Sequence, residues 1–280
     1  MKRRKIIRKR TLALCAALLF LLGTGCSSGA SSSTEGEGGA VRDNAPRVFE
    51  PSTPEEQVLG NESAKIDVSN VSQGYVSVKY LGSNEKVRMQ LTKKGSSTYT
   101  YIHSNDGSYE TFPLSSGSGT YVLNVFENLK GNQYIQACGV SFDVELENDR
   151  VPFLYANQYV NFSAQSNVVE KSEKLAKNCA DDLEVVGSVY DFVIGNIKYD
   201  YNLAENVSSG YLPDVDEVLR TKTGICFDYA ALMTALLRCQ GIPSKLVVGY
   251  AGTAYHAWIS VYIENVGWID GIIQFDGKEW

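Results

Sequence analysis

Histidine is nearly missing from this chain: His103 and His256 are the only two in 280 residues. No CxxC pair accompanies them and no second histidine stands near the first. The spacings of a zinc site are therefore absent, and the sequence calls for no metal and no cofactor. Positive charge is also in deficit, with 26 lysines and arginines against 32 acidic residues and a net charge of −6. Seven of those bases precede Cys26 with no acidic residue among them, so the chain beyond carries −13. A surface this acidic has no electrostatic footprint for nucleic acid, and an anionic membrane face would repel it. Long apolar runs are lacking too. Residues 12–22 form an apolar or small stretch that is too short to span a bilayer comfortably. There is no internal repeat.

The short stretch has a clear reading of its own. It follows a basic start and leads into Gly23-Thr24-Gly25-Cys26, which is the layout of a secretory signal. A cysteine directly after Thr-Gly suggests a bacterial lipobox in which Cys26 is lipidated and becomes the mature N-terminus. The plainer alternative is an ordinary signal peptide cut near the same place. Either way the mature protein is expected outside the cytoplasm, with any membrane attachment resting on the lipid. Beyond it, residues 27–39 are almost wholly Ser, Gly, Glu and Thr, and Pro46, Pro51 and Pro54 follow among few apolar residues. Residues 27–63 are therefore expected to be a flexible linker that cannot bury a core.

Alternation then takes over. Residues 75–81, 87–91, 98–102, 121–126 and 140–144 read as strands, separated by Gly, Asn, Ser and Asp clusters about every ten residues. This predicts a small β-sandwich over residues 64–150. Its tyrosines, among them Tyr75, Tyr80, Tyr99, Tyr101 and Tyr121, are more simply β-formers capping a core than a sugar-binding face. His103 adjoins Ser104-Asn105-Asp106-Gly107, so an exposed turn histidine is expected there.

From residue 151 onward the period changes. Residues 168–180, 182–197 and 214–222 carry apolar positions at helical spacing, and residues 245–250 and 259–263 supply strands. A further helix opens at Cys226 with Tyr229, Leu232, Met233, Leu236 and Leu237 on one stripe. It stops at Gly241, with Pro243 two residues on. A thiol at a helix start sits beside unpaired backbone N–H groups, which stabilise a thiolate. His256, about thirty residues on, can fold back to exchange the thiol proton, and the pair suffices for acyl transfer through a thioester. Asp228 suits a helix N-terminus, and Cys239 reads as a buried small side chain. Cys138, Cys179, Cys226 and Cys239 permit disulfides in an exported protein, though two bridges would consume Cys226.

The ordered set Leu219-Arg220-Thr221-Lys222-Thr223-Gly224-Ile225-Cys226-Phe227-Asp228-Tyr229, Gly241-Ile242-Pro243 and His256-Ala257-Trp258 resembles the transglutaminase-like superfamily over about residues 182–280. The resemblance implies an α+β, papain-like core over residues 151–280, with the cysteine helix packed on an antiparallel sheet. It implies Cys226 as nucleophile and His256 as base, acting on a protein or peptide, including cell-wall peptide. Tyr199, at the end of Asn196-Ile197-Lys198-Tyr199, is either a second oxyanion donor or a structural tyrosine. The function expected is amide cross-linking or hydrolysis at the cell surface; the alternative is an inactive binding or scaffold protein that keeps the fold.

The family's third residue, an aspartate on the strand beside the histidine's, stays open among three choices. A hairpin of residues 256–263 and 268–275 turning at residues 265–266 would leave Asp270 about 16 Å from His256 at strand rise. Asp276 would lie nearer, at a turn. In the third choice residues 266–277 are an excursion and the partner strand starts at Lys278, with its aspartate beyond Trp280.

Overall fold

Strand pairing, more than helix content, organises the computed structural model, which describes residues 42–272. Cys26 and Asp276 lie outside the described residues. The first eight strands are β1 (Val58–Gly60), β2 (Ala64–Asp67), β3 (Tyr75–Tyr80), β4 (Val87–Lys93), β5 (Thr98–His103), β6 (Glu110–Pro113), β7 (Gly119–Lys130) and β8 (Gln133–Val144). They form two four-stranded antiparallel sheets, ordered β1-β2-β3-β6 and β5-β4-β7-β8. Alternation along each strand sends one set of side chains inward. Ile66, Val76 and Val78 of one sheet meet Met89, Leu91, Leu123 and Val125 of the other in a single apolar cluster, as the sandwich pattern predicts. Tyr75, Tyr80, Tyr101 and Tyr121 are buried, which fits their reading as core tyrosines.

The second half is mixed. Helices α1 (Asn167–Ala176), α2 (Asp182–Asn196), α3 (Tyr201–Asn206), α4 (Val215–Thr221) and α5 (Cys226–Arg238) accompany strands β9 (Lys198–Tyr199), β10 (Thr223–Gly224), β11 (Ser244–Ala251), β12 (Ala254–Ile263) and β13 (Gly267–Ile272). Asp181 caps α2 through the Glu184 amide, and Asp214 caps α4 through the Asp216 and Glu217 amides. Helix α5 is the spine of this half. Leu232, Met233, Leu236 and Leu237 are wholly buried against Ile259 and Val261 of β12 and Val185 and Val189 of α2. At about 1.5–3 kcal/mol for each large apolar side chain removed from water, this packing fixes α5 on the sheet β11-β12-β13. Tyr159 packs against the cores of both halves.

Three expectations are corrected. The first concerns the linker, which does not run to residue 63. From Arg42 the chain is a fixed strap. Arg42 bonds Asp182 Oδ1 (2.7 Å), Gln240 Oε1 (3.0 Å) and the Gln240 carbonyl (3.0 Å), while the Arg47 amide bonds the Cys239 carbonyl (2.7 Å). Farther along, the Ser52 amide donates to the Tyr75 hydroxyl (3.0 Å), and β1 then joins the first sheet. Polar anchors and two isolated apolar side chains, Val48 on the core and Phe49 against Tyr155, hold this segment, so no apolar period announced it. The second concerns His103, which is 3% exposed rather than a turn residue in solvent. Its Nε2 lies 2.9 Å from the Val78 carbonyl, and its ring packs on Phe112. The third is the excursion over residues 266–277. Gly267–Ile272 pairs with β12 as a hairpin, with Ile263 opposite Gly267 and, past a register shift between Ile259 and Val261, Ile259 opposite Ile272; Asn265 takes φ +65° in its turn. The four cysteines of the described residues are free thiols.

Candidate active site

Cys226 owes its position to the turn before it. Strand β10 pairs in parallel with β9, with Gly224 opposite Tyr199, and the Asp200 amide bonds the Gly224 carbonyl at 2.9 Å. A side chain at Gly224 would drive its Cβ to 2.6 Å from the Cβ of Asp228, so only glycine fits there. Ile225 is extended (φ −95°, ψ 178°) and Cys226 is the first residue of α5. Its amide is thus among the helix-start donors that have no intrahelical carbonyl. Asp228, fully buried, reaches back so that its Oδ2 accepts from the Ile225 amide at 2.8 Å. That is the return arm of a capping box. Its Oδ1 accepts from the Tyr211 hydroxyl at 2.7 Å. The expected helix-start role of Asp228 is present; the Tyr211 link was invisible in the sequence because the two residues meet only through the fold.

His256 lies on β12 opposite Gly249 of β11. Its neighbours on the strand, Ala257 and Ile259, are buried under α5, and its ring lies 6.4 Å from that of Trp258. Cys226 and His256 line the same cavity, about 660 Å³ in volume. Tyr199, Phe227, Tyr255 and the loop 207–212 contribute further walls, and Thr100 and Ile102 of β5 reach in from the sandwich half. Among the lining residues described, His256 is the sole ionisable group of the ordinary acid–base kind beside the thiol and the tyrosines.

Burial pushes the Cys226 thiol up from its ordinary value, while the amides of Ala257 and Phe227 pull it back down and the Asp228 charge adds to the rise. Burial also lowers the His256 imidazole. Both shifts favour the neutral forms. Burial thus opposes the charge that the helix-start amides favour. Asp228 is itself raised by burial, against the Ile225 amide and the Tyr211 hydroxyl, which lower it.

The remaining candidates separate cleanly. Tyr199 is at the cavity wall, in ring contact with Tyr201 and Tyr229 at 5.0 and 6.3 Å. Asp270 is not part of the cavity; it accepts a hydrogen bond from Ser260 on the neighbouring strand. Cys239 is fully buried at the far end of α5, as expected, and burial raises it to about 12.

A helix that carries a cysteine at its start, packed on an antiparallel sheet that carries a histidine at the same cavity, defines a papain-like arrangement. Residues 170–270 match the transglutaminase-like superfamily, and this segment is a transglutaminase-like domain. Among curated proteins, the chain is 28% identical over 220 residues to the UPF0252 protein MJ1282 of Methanocaldococcus jannaschii, covering 71% of this chain and 61% of that protein. It is 25% identical over 152 residues to the uncharacterized protein YebA of Bacillus subtilis, covering 45% of this chain and 20% of that one. The chain thus spans less than two thirds of either relative. A solved structure of a candidate cysteine protease from Cytophaga hutchinsonii aligns over 76% of this chain and 77% of its own at 15% identity, with a TM-score of 0.39.

Proposed function

We propose that this protein catalyses cysteine-dependent acyl transfer on amides of protein or peptide substrates, with Cys226 as nucleophile and His256 as base. The observation that carries this reading is that Cys226, first in α5, and His256, on β12, open into one cavity. His256 takes the Sγ proton as the thiol attacks the amide carbon. The Cys226 amide donates to the developing oxyanion, and Tyr199 is the candidate second donor. His256 then returns the proton to the leaving amine, and a thioester remains. Water resolves it to a carboxylate; an incoming amine resolves it to a cross-link.

The signal-like start and Cys26 support action at the outer face of the cell membrane with a lipid anchor, although no helix among the described residues is long and apolar enough to cross a membrane. The deciding experiment incubates the protein with glutamine-containing peptides and a primary amine and weighs the products. A Cys226-dependent free carboxylate or joined amine supports the reading. Unchanged peptides across a broad set, with a folded protein, would favour instead an inactive surface scaffold.

A further inference from the structure

Beside the cavity lies a second pocket of about 210 Å³, and Thr100, Tyr159 and Val248 line both. The larger cavity has no lysine, arginine or carboxylate among its described lining residues. The smaller one has two cations, Arg238 and Lys245, and no carboxylate. That asymmetry is notable in a chain with an excess of acidic residues.

Arg238 is 2% exposed, at the last turn of α5. Its Nε and Nη2 donate to the Ser244 carbonyl (3.1 and 2.7 Å) and its Nη1 to the Tyr155 carbonyl (2.6 Å). A guanidinium has five N–H donors, so these bonds hold the fork in place and leave two donors over. No ion pair joins Arg238 to a carboxylate among the described residues, whereas a buried charge is ordinarily paired. Lys245 stands on β11 with its ammonium 3.5 Å from the Trp268 ring centre and 4.7 Å from that of Phe153. It also feels the charge of Asp270, without forming an ion pair with it. An aromatic floor fixes an ammonium and leaves its outer donors free.

We propose that this pocket is an anion subsite that takes a carboxylate of the acyl-transfer substrate, while the neutral part of the substrate fills the Cys226 cavity. The inference rests on the proposed role of Cys226 only for the word substrate; the binding site stands on Arg238 and Lys245. The ligand chemistry is a peptide carboxylate, from a chain terminus or an acidic side chain, displaced from the reacting carbonyl by the step between two adjoining pockets. Thr100 of the sandwich half borders both, so the N-terminal half takes part in selecting the substrate.

The test uses probes that need only an accessible thiol. Chloroacetyl-glycine oligomers of one to four residues are compared with their C-terminal amides for the rate of Cys226 alkylation, each added residue extending reach by about 3.4 Å. A chloroacetyl peptide amide with an internal glutamate separates a side-chain carboxylate from a terminal one. We expect at least one length at which the carboxylate labels about tenfold faster than its amide, the ratio typical of one charge-assisted contact. That preference should collapse in Lys245→Gln, while the amide probes keep their rate, which also reports an intact fold. Equal rates for acid and amide at every length, or a preference that survives Lys245→Gln, would overturn the subsite. Because His256→Ala should abolish turnover and leave the acid-over-amide preference intact, failure of the subsite and failure of the catalytic reading are told apart.

Discussion

The two ends of α5 carry the same side chain in unlike surroundings. Cys226 opens the helix and faces a cavity; Cys239 caps its far end and is fully enclosed. Burial raises both thiols, but only at Cys226 do the amides of Ala257 and Phe227 act against the rise, whereas Cys239 meets no such donors and stands at about 12. The polarity of the helix is the difference. Its start offers N–H groups to a forming negative charge, and its end offers carbonyls, which repel one. A cysteine is made useful by which end it occupies.

The sharpest way to break this comparison is to remove each thiol in turn. Cys226→Ala should lower turnover by about four orders of magnitude, while Cys239→Ala leaves it within about twofold; mass-resolved product assays decide. Next comes pH. With Cys226 raised and His256 lowered, iodoacetamide labelling of Cys226 should climb about tenfold per pH unit from neutrality without a plateau below pH 8. Turnover should hold at pH 7 and fall only as pH drops through the His256 value, below 6.5, because the base is lost on protonation. A labelling plateau below pH 8 that His256→Ala removes would instead establish a Cys226–His256 ion pair at rest.

A smaller effect is expected at the brace under the helix start. Asp228→Ala strands the Ile225 amide and the Tyr211 hydroxyl and should cost about 2 kcal/mol, with Tyr211→Phe costing about 1; urea midpoints measure both. Smallest is the other end: Cys239→Ala should cost about 1 kcal/mol in the same assay, and a larger loss would mean that the quiet end of α5 matters more to the fold than the brace does.

What the sequence disclosed was whatever local periodicity encodes. The start of α5 and its stop near Gly241 and Pro243 were readable because caps and breakers are short-range. His103 was misread because its neighbours spell a turn, whereas the groups that enclose it, Val78 and Phe112, come from other strands. The strap from Arg42 was missed because its anchors are Asp182 and Gln240, and no pattern in a polar segment reports bonds to residues so far along the chain. Tyr211 was missed for the same reason.

The strap has a mechanical consequence. Arg42 is tied to Asp182 at the head of α2 and to Gln240 just past the tail of α5. Tension applied through the chain ahead of Arg42 is therefore borne first by a guanidinium clamp between two helices. The load enters at the end of α5 opposite the thiol, with the length of the helix between the point of pull and the nucleophile.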